Sequence, residues 1–560
     1  MTTTLQQAIS HHRRGDLARA EAMYREILAR APRDADAMHF LGVLRTQQHR
    51  YDEAIALIGA AAGVAPGNAG IHSNLGLALK AAGRLDDALA SFDRALALAP
   101  AFPEALNNRG NVQLALARPA EALASFDRAV NLRPEYAEAW NNRGYALVAL
   151  GRLEPAVESY GRACALAPGY AEAFHNRGLA LRQLGRAGEA LADAERALAL
   201  APGHLDVLDA RGIALADLGR HDAALASFDL ALAGAPDRAA SHVNASHCRL
   251  ALGDYARGWP EHEWRWRDEQ MRADRRAFAK PQWTGGEDPA GRTVLLHAEQ
   301  GHGDSIQFCR YAPRLAARGA RVLLEAPSAL ASLFGTLGGV AQIVVSGEAL
   351  PPFDLHCPLM SLPLAFRTTL ADVPDTTPYL AADPARVRHW RGRAPRSGRP
   401  RIGIAWSGRA AQRNDMHRSM PFDALAPLLA LDADFVVLQK EVRERDRPAI
   451  AAHPRLVDPS AEIRDFADVA ALIEDVDLVV SVCTSIAHVA GALGKPVWVL
   501  LSVAADWRWL RDRDDSPWYP TATLFRQTTL GDWSGVVARV ATTLGTRLGP
   551  AARAGTQASA

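Results

Sequence analysis

Asp477-Leu-Val-Val-Ser-Val-Cys-Thr-Ser-Ile-Ala-His-Val-Ala-Gly-Ala-Leu-Gly-Lys-Pro-Val-Trp-Val-Leu500 reads as strand, turn, helix, turn and strand. Leu478 to Val482 is a short β-branched apolar run, the mark of a buried parallel strand. Thr484 and Ser485 supply hydroxyls where a helix starts. Ile486 to Leu493 is an apolar helical face, Gly494 ends it, and Lys495-Pro496 leads into a second strand, Val497 to Leu500. A helix that begins at the carboxyl end of a parallel strand aims unpaired N–H groups and the positive end of its dipole at the crevice. That arrangement suits a diphosphate, each charge–dipole contact contributing about 0.3–2 kcal/mol. The same residues equally suit a structural βαβ unit with no ligand.

The stretch resembles the donor-site segment of the heptosyltransferase-like glycosyltransferases (family 9, GT-B fold). In that family an Asp-(Thr/Ser)-x-x-(Ser/Ala)-His segment holds a nucleotide-activated sugar. Thr484, Ser485 and His488 match it, and Cys483 stands where the family has Asp. A thiol does not accept sugar hydroxyl hydrogen bonds as a carboxylate does.

The chain around this unit has 560 residues, more than one core accommodates, so two or three domains are expected. A formal net charge of +1 speaks against a nucleic-acid footprint or a membrane-surface role. No apolar run reaches about 18 residues, so no membrane span is expected. Met1-Thr-Thr-Thr-Leu-Gln-Gln7 has no basic-then-apolar leader. Cys164, Cys248, Cys309, Cys357 and Cys483 are scattered, so neither a zinc nor a disulfide framework is expected and a reducing cytoplasm fits.

The first half is repetitive. Prolines 32, 66, 100, 134, 168, 202 and 236 keep a constant step of 34, as do glycines 42, 76, 110, 144, 178 and 212 and alanines 20, 54, 88, 122, 156, 190 and 224. Large apolar residues follow four positions after most of these alanines (Tyr24, Ile58, Phe92, Phe126, Tyr160, Phe228), and Ala194 breaks the series. Small residues let paired helices approach, and the large residue fills the gap to the neighbouring helix. Gly15, Gly83, Gly151, Gly185, Gly219 and Gly253 fall between the two helices of a unit. The pattern resembles the tetratricopeptide repeat (TPR). It implies seven full repeats and a partial eighth, stacked into an α-superhelix with a concave groove.

A polar ladder runs through the array. Asn74, Asn108, Asn142 and Asn176 stand two residues before the repeat glycine; the series skips at Ala210 and resumes at Asn244. A carboxamide donates to and accepts from one peptide unit at once, so such a row can grip an extended backbone with little regard for sequence. Protein O-GlcNAc transferases carry a similar ladder for their substrates, and the resemblance implies an acceptor protein in the groove. Asparagine that merely solvates a groove is the bland alternative.

Trp259, Trp264 and Trp266 read as a seam that closes the array against the second half. Residues 268–290 read as a linker. From residue 292 strands alternate with helices: strands at 293–297, 321–325 and 341–345 with helices 305–318 and 328–337, then an arginine-rich hinge at 386–401 whose cations are expected to be solvated. A second set of alternating elements starts at the strand 401–406 and contains the opening unit. The expected fold is α + α/β multidomain: a TPR α-superhelix (1–267), a linker (268–290), a two-lobed GT-B, double Rossmann-like domain (291–395 on the acceptor side, 396–546 on the nucleotide-sugar side) and a disordered tail (547–560).

Glu299-Gln-Gly-His-Gly-Asp-Ser-Ile-Gln307 leaves a strand and opens a helix, with Gly301 and Gly303 allowing close backbone approach and Gln307 completing the cleft loop. Family resemblance makes Asp304 the general base; His302 ranks second, and a helix cap is the structural alternative for Asp304. In the second lobe, Ser407 and Gly408 can present donors, and Arg413 and Arg418 can reach phosphate oxygens bidentately. Gln439 stands at a strand end near the expected nucleotide. Asp506-Trp-Arg-Trp509 borders the same cleft. Asp475-Val-Asp477 precedes a strand, the wrong end of a sheet for a ligand, so no metal is expected.

The resemblance implies a metal-independent, inverting glycosyltransferase, with a nucleotide-sugar as co-substrate and no resident cofactor. It would modify a Ser or Thr hydroxyl of a protein held by the array, with flagellin or another surface-appendage protein as the acceptor suggested by bacterial array–transferase fusions. The alternatives are a scaffold whose transferase half has lost catalysis, which Cys483 favours, and transfer to a lipid-linked or polysaccharide acceptor.

Overall fold

The 34-residue period folds into helix pairs, beginning Leu5–Arg13 with Leu17–Arg30, Ala35–Gln47 with Tyr51–Val64, and Ala69–Ala81 with Leu85–Leu98. The computed structural model describes residues 4–268, 275–393, 396–409 and 415–548. The chain divides at Ala210/Arg211 into two units. The first holds six helix pairs, up to Ala171–Gln183 with Ala187–Leu200. The seventh pair, Leu205–Asp217 with His221–Gly234, straddles the division, and the eighth, Ala239–Ala251 with the short Tyr255–His262, belongs to the second unit.

The repeat glycines are needed for packing. A Cβ at Gly76, Gly110 or Gly144 would lie 2.8, 2.6 or 2.6 Å from the ring of Phe92, Phe126 or Tyr160. The repeat alanines at 20, 54, 88, 122 and 156 are fully buried. At the sixth repeat Ala194 replaces the ring, and the nearest atom to a Cβ at Gly178 is the Ala190 carbonyl oxygen at 3.3 Å. Each turn inside a pair needs a left-handed residue: Gly15, Gly83, Gly151 and Gly185 take φ of 81°, 77°, 71° and 77°. His49 and Ala117 occupy the same step of the period at φ 59° and 56°, which glycine would adopt at lower cost. An arginine ladder ties the pairs together. Arg143 donates to Asp127 of the preceding repeat at 2.6 Å and to Ser159 of its own at 2.6 Å, and Arg177 makes two bonds to Asp193 at 2.7 and 2.6 Å.

The second unit carries a mixed α/β region with two all-parallel sheets. The first, in order β3-β2-β1-β4, comprises β1 (Thr293–His297), β2 (Arg321–Ala326), β3 (Val340–Val345) and β4 (Leu355–Pro358). The second has six strands: β5 (Arg401–Ala405), β6 (Asp434–Val437), β7 (Leu456–Val457), β8 (Leu478–Val482), β9 (Val497–Leu501) and β10 (Ala522–Arg526). Their order is β10-β9-β8-β5-β6-β7, so the winding reverses between β5 and β8. β5, β8 and β9 are buried along their whole length, β9 being apolar throughout while β5 also carries Arg401 and β8 Ser481. The strand β10 and the final helix Trp533–Leu548 were not foreseen from the sequence.

The helix expected over 305–318 is two, His302–Phe308 and Tyr311–Ala316. Pro313 has no N–H for the carbonyl of Cys309, so the ladder is interrupted there. The hinge arginines are ion-paired; Arg391, Arg393, Arg396 and Arg399 also stay exposed, as expected, whereas Arg386 and Arg401 are withdrawn from solvent. Arg386 reaches Asp465 at 3.0 Å and Asp468 at 2.9 Å, Arg391 reaches Asp475 at 2.9 Å and Arg396 reaches Asp477 at 3.2 Å. The Arg386–Asp468 contact joins the helix Pro384–Arg393 to the helix Phe466–Glu474, and the others tie to residues that flank the second helix. Of the three seam tryptophans, Trp259 docks, its ring centroid 5.2 Å from Trp507 and 6.3 Å from Phe308. Trp264 stacks on His242 at 4.0 Å, and Trp266 lies under Arg265. Arg265, fully buried, binds Glu299 at 2.9 and 3.0 Å, Glu263 at 2.6 Å and Ser361 at 2.8 Å. Among the described residues no helix is long and apolar enough to cross a membrane. Most of the tail expected to be disordered lies outside the described residues.

Candidate functional site

In parallel sheets, crevices form at the carboxyl ends of strands where the winding order reverses. In the six-stranded sheet that point lies between β5 and β8, beside Trp406-Ser407-Gly408 and Cys483-Thr484-Ser485. Thr484 caps the helix Ser485–Ala492, its hydroxyl accepting from the Ile486 N–H at 3.3 Å. The helix His302–Phe308, which follows β1, packs along it. The approach is close: a Cβ at Gly303 would lie 2.9 Å from His488 Cδ2, so only glycine fits without a shift. Gly301 donates its N–H to Asp304 at 2.8 Å, so Asp304 does cap its helix.

Asp304 is also ion-paired to Arg508. The Arg508 guanidinium donates to Asp506 at 2.8 and 3.0 Å and to Gln307 Oε1 at 2.5 Å, and lies 4.3 Å from the Trp507 ring centroid. The Arg508 side chain is 7% exposed, whereas those of Asp304 and Asp506 are 20% and 38% exposed. The cation therefore sits beneath two carboxylates at an accessible face. Burial raises the pKa of Asp304 against the pull of Arg508. Burial works the same way on Asp506, but Arg508 outweighs it and holds that carboxyl below its usual range. The order of strength follows from geometry, because Asp506 receives two bonds from the guanidinium and a third from the Arg508 N–H at 3.1 Å.

His488 shares a hydrogen bond with the Tyr519 hydroxyl at 2.8 Å, and burial, then Arg508, depress its pKa to about 3. It is a neutral ring. Cys483 accepts from Trp509 Nε1 at 3.1 Å, and burial, with Asp506 nearby, pushes its thiol up to about 11. It is neither a thiolate nor a nucleophile at neutral pH. His302 packs edge-on to Phe466 at 5.1 Å, and burial, then Arg409, lowers its pKa.

The candidates beside the six-stranded sheet are bound up with one another. Gln439 Oε1 accepts from the Trp406 and Ser407 N–H groups at 2.9 and 3.2 Å, and its Nε2 donates to Ser407 Oγ at 2.9 Å and the Glu441 carbonyl at 2.9 Å. The whole carboxamide thus pins the ends of β5 and β6 together. The Gly408 N–H donates to Ser419 Oγ at 2.8 Å. Arg418 lies over Gly408 and is within electrostatic reach of Cys483. Arg413 lies outside the described residues. Asp304, Gly301, Gly303, Gln307, Cys483, Thr484, Ser485 and His488 are therefore gathered where the two helices meet, with Arg418 close to Cys483. In the sequence Arg508 is part of the Asp506–Trp509 segment expected to border the cleft but is not singled out, although its position between two tryptophans next to Asp506 is a signal of burial.

The ladder residues Asn74, Asn108, Asn142 and Asn176 are half-buried along the first helices of their repeats, and Asn244 is likewise in the second unit. Part of the ladder links repeats: Asn142 donates to Asn107 at 2.9 Å, Asn176 to Asn141 at 3.1 Å, and Asn74 meets His39 at 2.7 Å. In the described hydrogen bonds the carbonyl oxygens of Asn142 and Asn176 accept nothing. Among the described residues no cluster of three His, Cys, Asp or Glu side chains could hold a metal.

The profile for the tetratricopeptide repeat matches residues 5–69, 41–104, 73–133 and 171–204, and a TPR repeat profile matches 144–185. The helical region is a tetratricopeptide-repeat solenoid, an architecture typical of protein–protein interaction modules. Protein FlbA of Caulobacter vibrioides is 27% identical over 322 residues, which are 53% of this chain and 53% of that protein. The chain thus spans about half the length of that curated relative. Among solved structures, MamA is 26% identical (TM-score 0.29), covering 30% of this chain and 93% of MamA. YrrB, described as a TPR protein with an unusual peptide-binding site, is 27% identical (TM-score 0.30), covering 33% of this chain and 95% of YrrB. Pseudomonas aeruginosa PilF is 21% identical (TM-score 0.34), covering 36% and 92%.

Proposed function

We propose that the chain is a protein-interaction scaffold whose repeat array, residues 1–267, grips an extended segment of a partner polypeptide through its asparagine ladder. The repeat architecture carries this reading. The ladder supports it: Asn108 makes no side-chain hydrogen bond among the described residues, and Asn142 and Asn176 keep accepting oxygens. A row of such groups matches the alternating donors and acceptors of a bound backbone. The test is quantitative co-purification of partner with the wild-type chain and with Asn108→Ala/Asn142→Ala/Asn176→Ala. The ladder reading expects the partner to be lost; undiminished recovery, with helicity unchanged, refutes it.

A second reading adds chemistry. In it residues 291–395 and 396–546 are the two lobes of a GT-B glycosyltransferase that moves a sugar from a nucleotide-sugar to a Ser or Thr hydroxyl of the bound protein. The Asp304–Arg508–Asp506 cluster, a buried guanidinium between two partly exposed carboxylates, favours this reading. A purely structural domain gains little from a buried cation shared by two carboxylates, because desolvation offsets the attraction. In this reading Asp304 accepts the hydroxyl proton, and the Ser485–Ala492 helix end with Arg418 stabilises the leaving nucleoside diphosphate. Cys483 in place of a carboxylate weighs toward a scaffold with a silent transferase half. Thermal denaturation with UDP, GDP, ADP or CMP separates the two. A nucleotide bound at 100 times its Kd stabilises by about 2.7 kcal/mol, whereas a silent domain shows no shift.

A further inference from the structure

We infer that Arg508 is the anion-binding arm of this crevice, held by Asp304 until a nucleoside diphosphate displaces that carboxylate. The inference rests on the transferase reading. Arg508 is gripped by two acids of different kinds. Asp506 is two residues away, and its three bonds to Arg508 belong to one turn, Asp506-Trp507-Arg508. Asp304 comes from the other lobe's helix and touches the guanidinium through one oxygen. The Asp304 contact is therefore the one that can be exchanged without unmaking the turn. Both carboxylates carry exposed surface, so a ligand can reach the pair from solvent.

A second observation points to a missing acceptor. Gln307 is fully buried, and Arg508 Nε–H fixes its amide by donating to Oε1 at 2.5 Å. That orientation leaves Gln307 Nε2 with no hydrogen-bond partner. An orphaned buried donor is costly, and neither Asp304 nor Asp506 supplies its acceptor. A phosphate oxygen seated at the Arg508 fork would supply one. The fork is preorganised, its plane held against Trp507 at 4.3 Å and near Phe308 at 5.7 Å. With Asp304 displaced, Nη2 of this fixed guanidinium offers its N–H donors to phosphate oxygens while Nε and Nη1 stay on Gln307 and Asp506, and a dianionic group competes well with a single carboxylate oxygen for it. Displacement would then leave Asp304 unmasked only when the anion is bound.

The experiment is calorimetric titration of the full chain with UDP, GDP and ADP at fixed salt, for wild type, Arg508→Lys and Asp304→Asn. Wild type binds one of the three. Arg508→Lys keeps the charge but loses the Nη2 donors that the Gln307 and Asp506 bonds hold in place, and weakens that binding by about tenfold or more. Asp304→Asn removes the competing carboxylate and tightens it, by about threefold to tenfold. Since Asp304→Asn relieves a buried charge, it remains informative if Arg508→Lys fails to fold. Binding unchanged or weakened in Asp304→Asn overturns the inference while leaving the transferase reading intact. No nucleotide binding by wild type overturns both.

Discussion

Ala194→Phe should stabilise the sixth repeat. In five sister repeats the residue sixteen positions after the repeat glycine is large and packs on that glycine: Ile58, Phe92, Phe126, Tyr160 and Phe228. At Ala194 the place is a small cavity lined by His175, Gly178, Leu179, Arg182, Ala190 and Ala210. Fully burying a phenylalanine is worth about 1.5–3 kcal/mol. Freezing its rotamers and shifting Leu179 and Arg182 returns about 0.5–1 kcal/mol of that. The net is about 1–2 kcal/mol, a slowing of local opening by a factor of about 5–30. Because the chain has two units, the readout is amide hydrogen exchange of Ala171–Gln183 and Ala187–Leu200 in the full chain, not a global melting point. Adding Gly178→Ala should abolish the gain, since a Cβ at the sister glycines meets the ring at 2.5–2.8 Å. Exchange that is unchanged or faster in Ala194→Phe would refute the packing argument.

Three further outcomes follow from the same geometry. Ala117→Gly should stabilise the fourth repeat by about 0.5–1 kcal/mol, because Ala117 holds a left-handed φ of 56°; slower exchange across Pro103–Ala115 and Pro119–Leu132 checks it. Arg265→Met strands Glu299, whose side chain is 3% exposed, at a cost of about 3–5 kcal/mol, read as faster exchange over 255–266 and 359–366. His488 predicts a pH dependence: its folded pKa, about 3, lies below its unfolded value, so protonation favours the unfolded chain. Its contribution is whole above about pH 6.5 and falls as pH drops, by about 2 kcal/mol at pH 5. Urea midpoints at pH 7 and pH 5 should differ less in His488→Gln than in wild type; equal differences would remove His488 as the source.

The array was legible because one period constrains many positions at once, so the glycine–aromatic pairs at Gly76–Phe92 and Gly110–Phe126 could be read from sequence alone. The inter-repeat bonds Asn142–Asn107 and Asn176–Asn141 were not, since they join positions 35 apart, one beyond the period. The opening strand–helix–strand unit reads directly as β8, the helix Ser485–Ala492 and β9, because local propensity and burial agree there. Arg508 is hard to read because its partners Asp304 and Gln307 lie 204 and 201 residues away; the flanking tryptophans mark burial but not those partners. The ion pairs of the hinge arginines are illegible for the same reason: their acids, Asp465, Asp468, Asp475 and Asp477, come from a later segment. Gln439, a strand-end amide in sequence, is committed on every side in the fold.

The direct test of partner binding by the ladder is position-resolved photo-cross-linking of the full chain in cells. A photoreactive residue is placed singly at 108, 142 or 176, and at 132 or 166, where Leu132 and Leu166 are exposed at the ends of second helices. One polypeptide captured from all three ladder positions, and from neither control, is the predicted result. Capture at the controls as strong as at the ladder, or none from the ladder, would contradict it.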